Sequence, residues 1–171
     1  MAQTYKVIIV GNRGVGKSSF VYQRLRGGFN PKYNPTCGVD TNSLTFYSQK
    51  GKRITFNVCE CSPTIQSEAK YNTNYIGANC AIVMYDCCSK LSLRHVDIWI
   101  EDIKKVVGNI PIVICGNKSD VAAKQYFYQG MYPHFTVSAK NNVNFELPFV
   151  YLTRALTSKH DTQFLPYSVA R

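Results

Sequence analysis

Gly11-Asn12-Arg13-Gly14-Val15-Gly16-Lys17-Ser18 is the stretch on which the reading of this chain turns. Before it runs Tyr5-Lys6-Val7-Ile8-Ile9-Val10, an apolar segment with the character of a short buried strand. After it, residues 19–26 read as a helix that Gly27-Gly28 closes. Strand, glycine-bounded loop and helix form the context a phosphate-binding loop requires, and the spacing fits G-x-x-x-x-G-K-[ST]. Gly11 and Gly16 let the backbone turn tightly. Successive N–H groups along Asn12, Arg13, Gly14, Val15, Gly16, Lys17, Ser18 and Ser19 can then face one concavity. The helix N-terminus adds its partial positive charge. Lys17 can reach the outer phosphates, and the Ser18 hydroxyl is placed to ligate Mg²⁺.

Outward from this loop the chain alternates strands and helices. Strands are expected at 42–47, 53–59, 80–86, 110–115 and 135–137, and helices at 93–107 and 145–156. Val96, Ile100, Ile103 and Val107 follow the three-and-four spacing of a helix face, with Trp99 and Val106 widening the stripe as core residues. The polar stretch 66–74 has some helical character, 121–132 is irregular, and the tail 158–171 is expected to be loosely ordered. The implied class is α/β, a mainly parallel six-stranded sheet with helices on both faces and one antiparallel edge strand at the pair around Gly51. Ligands in such folds sit at the carboxyl ends of the strands. The phosphate loop, Asn117-Lys118-Ser119-Asp120 and Ser138-Ala139-Lys140 each follow a strand, so they should converge on one site.

A phosphate loop alone leaves ATPases, nucleoside kinases and GTPases open. Asn117-Lys118-Ser119-Asp120 narrows the choice, although that tetrapeptide taken alone is also an ordinary solvated turn. A carboxylate accepts two hydrogen bonds from adjacent N–H groups, which guanine offers at N1 and N2 and adenine does not. Asp120 would be that acceptor, Asn117 would bind the base edge and brace the loop, and the Lys118 stem would lie along the ring. The Ala139 N–H would suit guanine O6.

With 171 residues, one domain with a real core is expected. No apolar run approaches the roughly 18 to 20 residues of a membrane span. Neither a signal peptide nor a lipid anchor is expected, given Ala2 and a C-terminal stretch without cysteine. The seven cysteines lack zinc-site spacing and read as reduced, structural thiols. The net charge of +10, with no acidic residue before Asp40, favours phosphate ligands and acidic protein partners. It serves equally as a solvated basic face, and no basic run with interleaved aromatics marks a nucleic-acid surface.

These residues together resemble the small GTPases of the Ras superfamily, and among them the Ran branch. The superfamily resemblance rests on 11–18, Thr36, 117–120 and 138–140. The Ran resemblance rests on Thr36-Cys37-Gly38-Val39, Ile54-Thr55-Phe56-Asn57-Val58, 80–86, 109–120 and Asn144-Phe145-Glu146-Leu147-Pro148-Phe149. It implies a P-loop GTPase fold, with a G domain over 1–157 and a C-terminal tail over 158–171. It also implies GTP or GDP with Mg²⁺ as cofactors, and a soluble monomer of nucleus and cytoplasm acting in nucleocytoplasmic transport. Transport receptors and G-protein regulators are the partners it suggests. By the same resemblance Phe29 packs against the guanine, Tyr33 covers the phosphates, Thr36 gives Mg²⁺ a second hydroxyl, and 29–40 is the first switch.

The departures in the second switch and the phosphate loop act against hydrolysis or against sensing the third phosphate. The family's second switch begins Asp-x-x-Gly-Gln, where this chain has Glu60-Cys61-Ser62-Pro63-Thr64. Pro63 lacks the N–H that would bond the γ-phosphate. Thr64 stands in place of the water-positioning glutamine and is too short for it, so no catalytic residue is assigned. Glu60 keeps a carboxylate near Mg²⁺ but one methylene longer, and Arg13 replaces a glycine where an arginine finger would enter. The segment between Asp120 and Ser138 is shorter than in Ran and lacks its basic helix, and Ran's acidic tail is missing. The expectation is a GTP-binding protein that hydrolyses GTP poorly. The alternative is a pseudo-GTPase that occupies partners without cycling.

Overall fold

The computed structural model describes residues 2–28, 39–61 and 73–166. Six strands are present: β1 Gln3–Val10, β2 Val39–Tyr47, β3 Arg53–Cys61, β4 Cys80–Asp86, β5 Ile112–Asn117 and β6 His134–Thr136. Among the described residues the helices that join them include α1 Lys17–Arg26, α2 Lys90–Arg94, α3 Val96–Val107 and α4 Leu147–Thr157. The strands lie in the order β2-β3-β1-β4-β5-β6. All neighbours run parallel except β2 and β3, which form the expected antiparallel edge.

The alternation of β1 side chains explains the layering. Val7 and Ile9 enter one core with Phe20 of α1 and Phe149 and Leu152 of α4. Ile8 and Val10 enter the other with Val96, Ile100 and Ile103 of α3. Both faces of the central strands are therefore covered, which is why β4 and β5 read as continuous apolar runs. The carboxyl ends of β1, β4 and β5 then open on one edge of the sheet.

Several boundaries differ from the sequence expectation. The helix expected over 93–107 is two helices, with His95 ending α2 and capping α3. β3 runs on past the expected end at Cys59 through Glu60 and Cys61, because both pair with β2. Asn117 is the last residue of β5 and not the first of a loop. Residues 121–132 are irregular, as expected.

The expectation of a loosely ordered tail fails over 158–166. Leu165 N–H donates to Tyr47 O at 2.7 Å, and Phe164 bridges to Ser48. Phe164 is buried and stacks on Phe46 with ring centroids 4.6 Å apart. Burying such a ring contributes about 1.5–3 kcal/mol, which offsets part of the chain entropy lost on ordering the segment.

His134 gives the fold a pH dependence. Its Nε2 lies 3.0 Å from the Tyr85 hydroxyl, which also accepts from Tyr128 N–H. Burial lowers its pKa from the ordinary 6.5. Between 6.5 and the lower native value the unfolded chain holds the extra proton, so stability falls as pH falls through that window. Melting curves from pH 7 to 5 should show this decline, and His134→Gln should flatten it.

Candidate functional site

The phosphate loop is built as its glycines require. Gly11, Gly14 and Gly16 have φ of 145°, 79° and 98°. At Gly16 the constraint is also steric, since a Cβ there would lie 2.3 Å from Asn117 Nδ2. Gly16 begins α1 in the left-handed region, with no side-chain cap on the helix. The first-turn N–H groups of a helix lack partners within it, so this terminus suits an anion. Lys17 is 6 % exposed, and its ammonium donates to Gly11 O at 2.8 Å and Asn12 O at 3.0 Å. Burial lowers its pKa to about 8, and Glu60 pulls in the opposite direction. Arg13 and Gly14 are exposed at the tip of the loop.

Asn12 is clamped from across the site. Trp99 Nε1–H donates to its Oδ1 at 3.0 Å, and its amide nitrogen lies 2.8 Å from His95 Nδ1. An indole only donates, so the amide oxygen must face Trp99 and His95 Nδ1 must accept. Trp99 thus does more than fill the core.

The Ser18 hydroxyl donates to Glu60 Oε2 at 2.6 Å. Glu60 is fully buried, and its Oε1 has no hydrogen-bond partner among the described residues. Burial raises its pKa, against the pull of the Ser18 bond. A hydroxyl beside a buried carboxylate with an unmet oxygen is a hard-oxygen set that fits Mg²⁺. Thr36, the other expected metal ligand, lies outside the described residues, as do Phe29, Tyr33, Pro63 and Thr64. No cluster of three or more His, Cys, Asp or Glu suited to a metal occurs among the described residues. The six described cysteines are free.

Asn117 joins the two halves of the site. It is 1 % exposed, its amide donates to Val15 O at 2.9 Å, and its Oδ1 accepts from Ala139 N–H at 3.0 Å. The Ala139 N–H, expected to meet guanine O6, donates here to Asn117 Oδ1. Lys118 follows at φ 64°, a conformation that non-glycine residues rarely adopt and that concentrates at binding sites. Its ammonium pairs with Asp86 at 2.7 Å. Asp86 in turn accepts from Cys88 N–H at 2.8 Å. Asp120 is partly exposed, and its Oδ1 accepts from the Ser138 hydroxyl at 2.6 Å. Ser138 also accepts from Asn141 N–H at 3.1 Å. Ser19 sits in the first turn of α1, and Lys140 is exposed beside Ala139.

The structure therefore brings 12–19, 117–120 and 138–140 to one edge of the sheet. Sequence reasoning missed His95 and Asp86 as supports. The polar residue closing the apolar run of β4 was the available signal for Asp86, whereas nothing local marked His95. The model of the Ras family matches residues 6–158. Because that match runs from the first strand through the last helix, the chain belongs to the Ras family of small GTP-binding proteins.

Proposed function

We propose that this chain is a Ran-like small GTP-binding protein, a guanine-nucleotide-dependent regulator of nucleocytoplasmic transport that hydrolyses GTP weakly. The carrying observation is the Asn117 side chain, whose hydrogen bonds to Val15 O and Ala139 N–H tie the phosphate loop to the base loop. Asn12, Arg13, Gly14, Val15, Gly16, Lys17, Ser18 and Ser19 hold the phosphates. Asn117, Lys118, Asp120, Ser138, Ala139 and Lys140 hold the base, and Phe29 and Tyr33 close over the nucleotide. Ser18 and Thr36 are the metal ligands, and Mg²⁺ bound there neutralises phosphate charge. The G domain comprises residues 1–157, with 158–171 as a C-terminal extension. The protein acts as a monomer in nucleus and cytoplasm, with transport receptors and G-protein regulators as partners. Among the described residues no helix is long and apolar enough to cross a membrane.

Weak hydrolysis follows from Arg13 at the loop tip and from Pro63 and Thr64 in the second switch. In single-turnover assays the GTP-loaded chain should hydrolyse at or below roughly 10⁻⁴ s⁻¹, without response to activators. An activator-stimulated rate typical of the family would contradict this.

A second reading, a pseudo-GTPase module that occupies receptors without cycling, draws on the Ser18–Glu60 bond. The carboxylate, one methylene longer than the family's aspartate, already takes the hydroxyl that Mg²⁺ needs. Pulldown of transport receptors across GDP and GTP titrations separates the two. Capture that changes with nucleotide favours the regulator, and capture indifferent to it favours the module.

A further inference from the structure

The sheet end remote from the phosphate loop carries a groove of about 330 Å³, near the lower limit for small-molecule sites. Its walls are the β2–β3 turn and the segment after α4, drawn together by Gln49 N–H donating to Gln163 O at 3.0 Å. Gln3, the first residue of β1, also lines it. A strand rises about 3.3 Å per residue, so β1 separates the groove from the phosphate loop by ~23 Å.

Three lysines, Lys50, Lys52 and Lys159, line this groove against one carboxylate, Asp161. Lys50 pairs with Asp161. Lys52 and Lys159 line the same groove as like charges. The neighbouring Lys159 ammonium lowers the Lys52 pKa from its ordinary 10.5, and Asp161 opposes this only weakly. Two ammonium groups lining one groove repel each other, and an anion between them turns that repulsion into attraction.

The remaining lining is neutral, with Ile54 beside hydrogen-bonding side chains. Gln3, Thr157 and Gln163 present amides and a hydroxyl. Thr153 lies fully buried in the wall, with a hydroxyl that has no hydrogen-bond partner among the described residues. These amides and hydroxyls offer hydrogen bonds to the hydroxyls of a polyol, and Ile54 a contact for its ring carbons.

We propose that the groove binds a phosphorylated polyol, an inositol- or sugar-phosphate headgroup whose phosphate bridges the Lys52 and Lys159 ammonium groups. A phosphate monoester carries about −1.5 to −2 charges near neutrality, which answers two lysines where a carboxylate answers one. The site is independent of the nucleotide pocket. The headgroup can come free or carried on a lipid.

The test is calorimetric titration of the full chain, saturated with GDP and Mg²⁺, with inositol 1,4,5-trisphosphate. Binding should saturate below ~1 mM and weaken at least about tenfold in Lys52→Gln/Lys159→Gln. Lys105→Gln, remote on α3, should bind as the parent does, and melting temperatures should confirm that both variants fold. Sedimentation with phosphatidylcholine vesicles, with and without phosphatidylinositol bisphosphate, identifies the source: retention that the double variant loses assigns the lipid form. If GDP fails to bind, trisphosphate binding that survives Lys17→Ala but not the double variant still supports the groove. Absence of both trisphosphate binding and vesicle retention, or binding undiminished in the double variant, overturns the proposal.

Discussion

Asn117→Ala is expected to lower thermal stability and guanine-nucleotide affinity together, because one buried amide serves both. Its loss leaves Val15 O and Ala139 N–H without their present partners, at 2.9 and 3.0 Å, in a buried environment. An unmet buried polar group costs about 1–3 kcal/mol, so the pair should destabilise the fold by roughly 2–5 kcal/mol. At this chain length the melting temperature should drop by about 4–15 °C. With the two loops no longer tied, GDP affinity should fall about a hundredfold or more. Gly16→Ala should act in the same direction, since its Cβ would lie 2.3 Å from Asn117 Nδ2 at a φ of 98°. Thermal denaturation beside a fluorescent-nucleotide titration checks both effects. Lost affinity with unchanged melting would show that Asn117 touches the base without bracing the loops.

Asp120→Asn should separate the two effects. The Ser138 hydroxyl can still donate to the remaining side-chain oxygen, and the residue is partly exposed, so stability should stay within ~1 kcal/mol. Guanine presents donors at both N1 and N2, and an amide offers only one acceptor beside its own donor. GDP affinity should fall about a thousandfold or more, as sites built to match hydrogen bonds reject a mismatched partner. Xanthine, which carries an oxygen where guanine carries its amino group, should gain affinity in the variant. Competition between GDP and xanthosine diphosphate on parent and variant checks this. Unchanged GDP affinity would remove Asp120 from base recognition.

The parts of this fold that were legible in the sequence are those whose signal is local. The phosphate loop announces itself because the glycine positions, the lysine and the flanking strand and helix all lie within residues 3–26. β4 and β5 were legible because strands covered on both faces leave unbroken apolar runs. Elements fixed by distant partners were not. Glu60 looks like the start of a loop until β2 is placed opposite it. The break at His95 has no proline or glycine to mark it, and the Asn12 clamp joins residues separated by 83 and 87 positions. Phe164 lies in a polar tail, and its place in the core depends on Phe46, whose ring no local pattern connects to it.

The same distinction applies to function. Guanine recognition was readable as residue types after strands, whereas the Ser18–Glu60 contact depends on a methylene group's extra reach across 42 positions.

The most direct test of the central reading is the nucleotide content of the purified, denatured chain, followed by melting with added GDP and Mg²⁺. The account predicts release of guanosine phosphate and stabilisation of about 2.7 kcal/mol at a hundredfold excess over Kd. No guanosine phosphate in the extract, together with a melting temperature that neither GDP nor GTP raises, would contradict it.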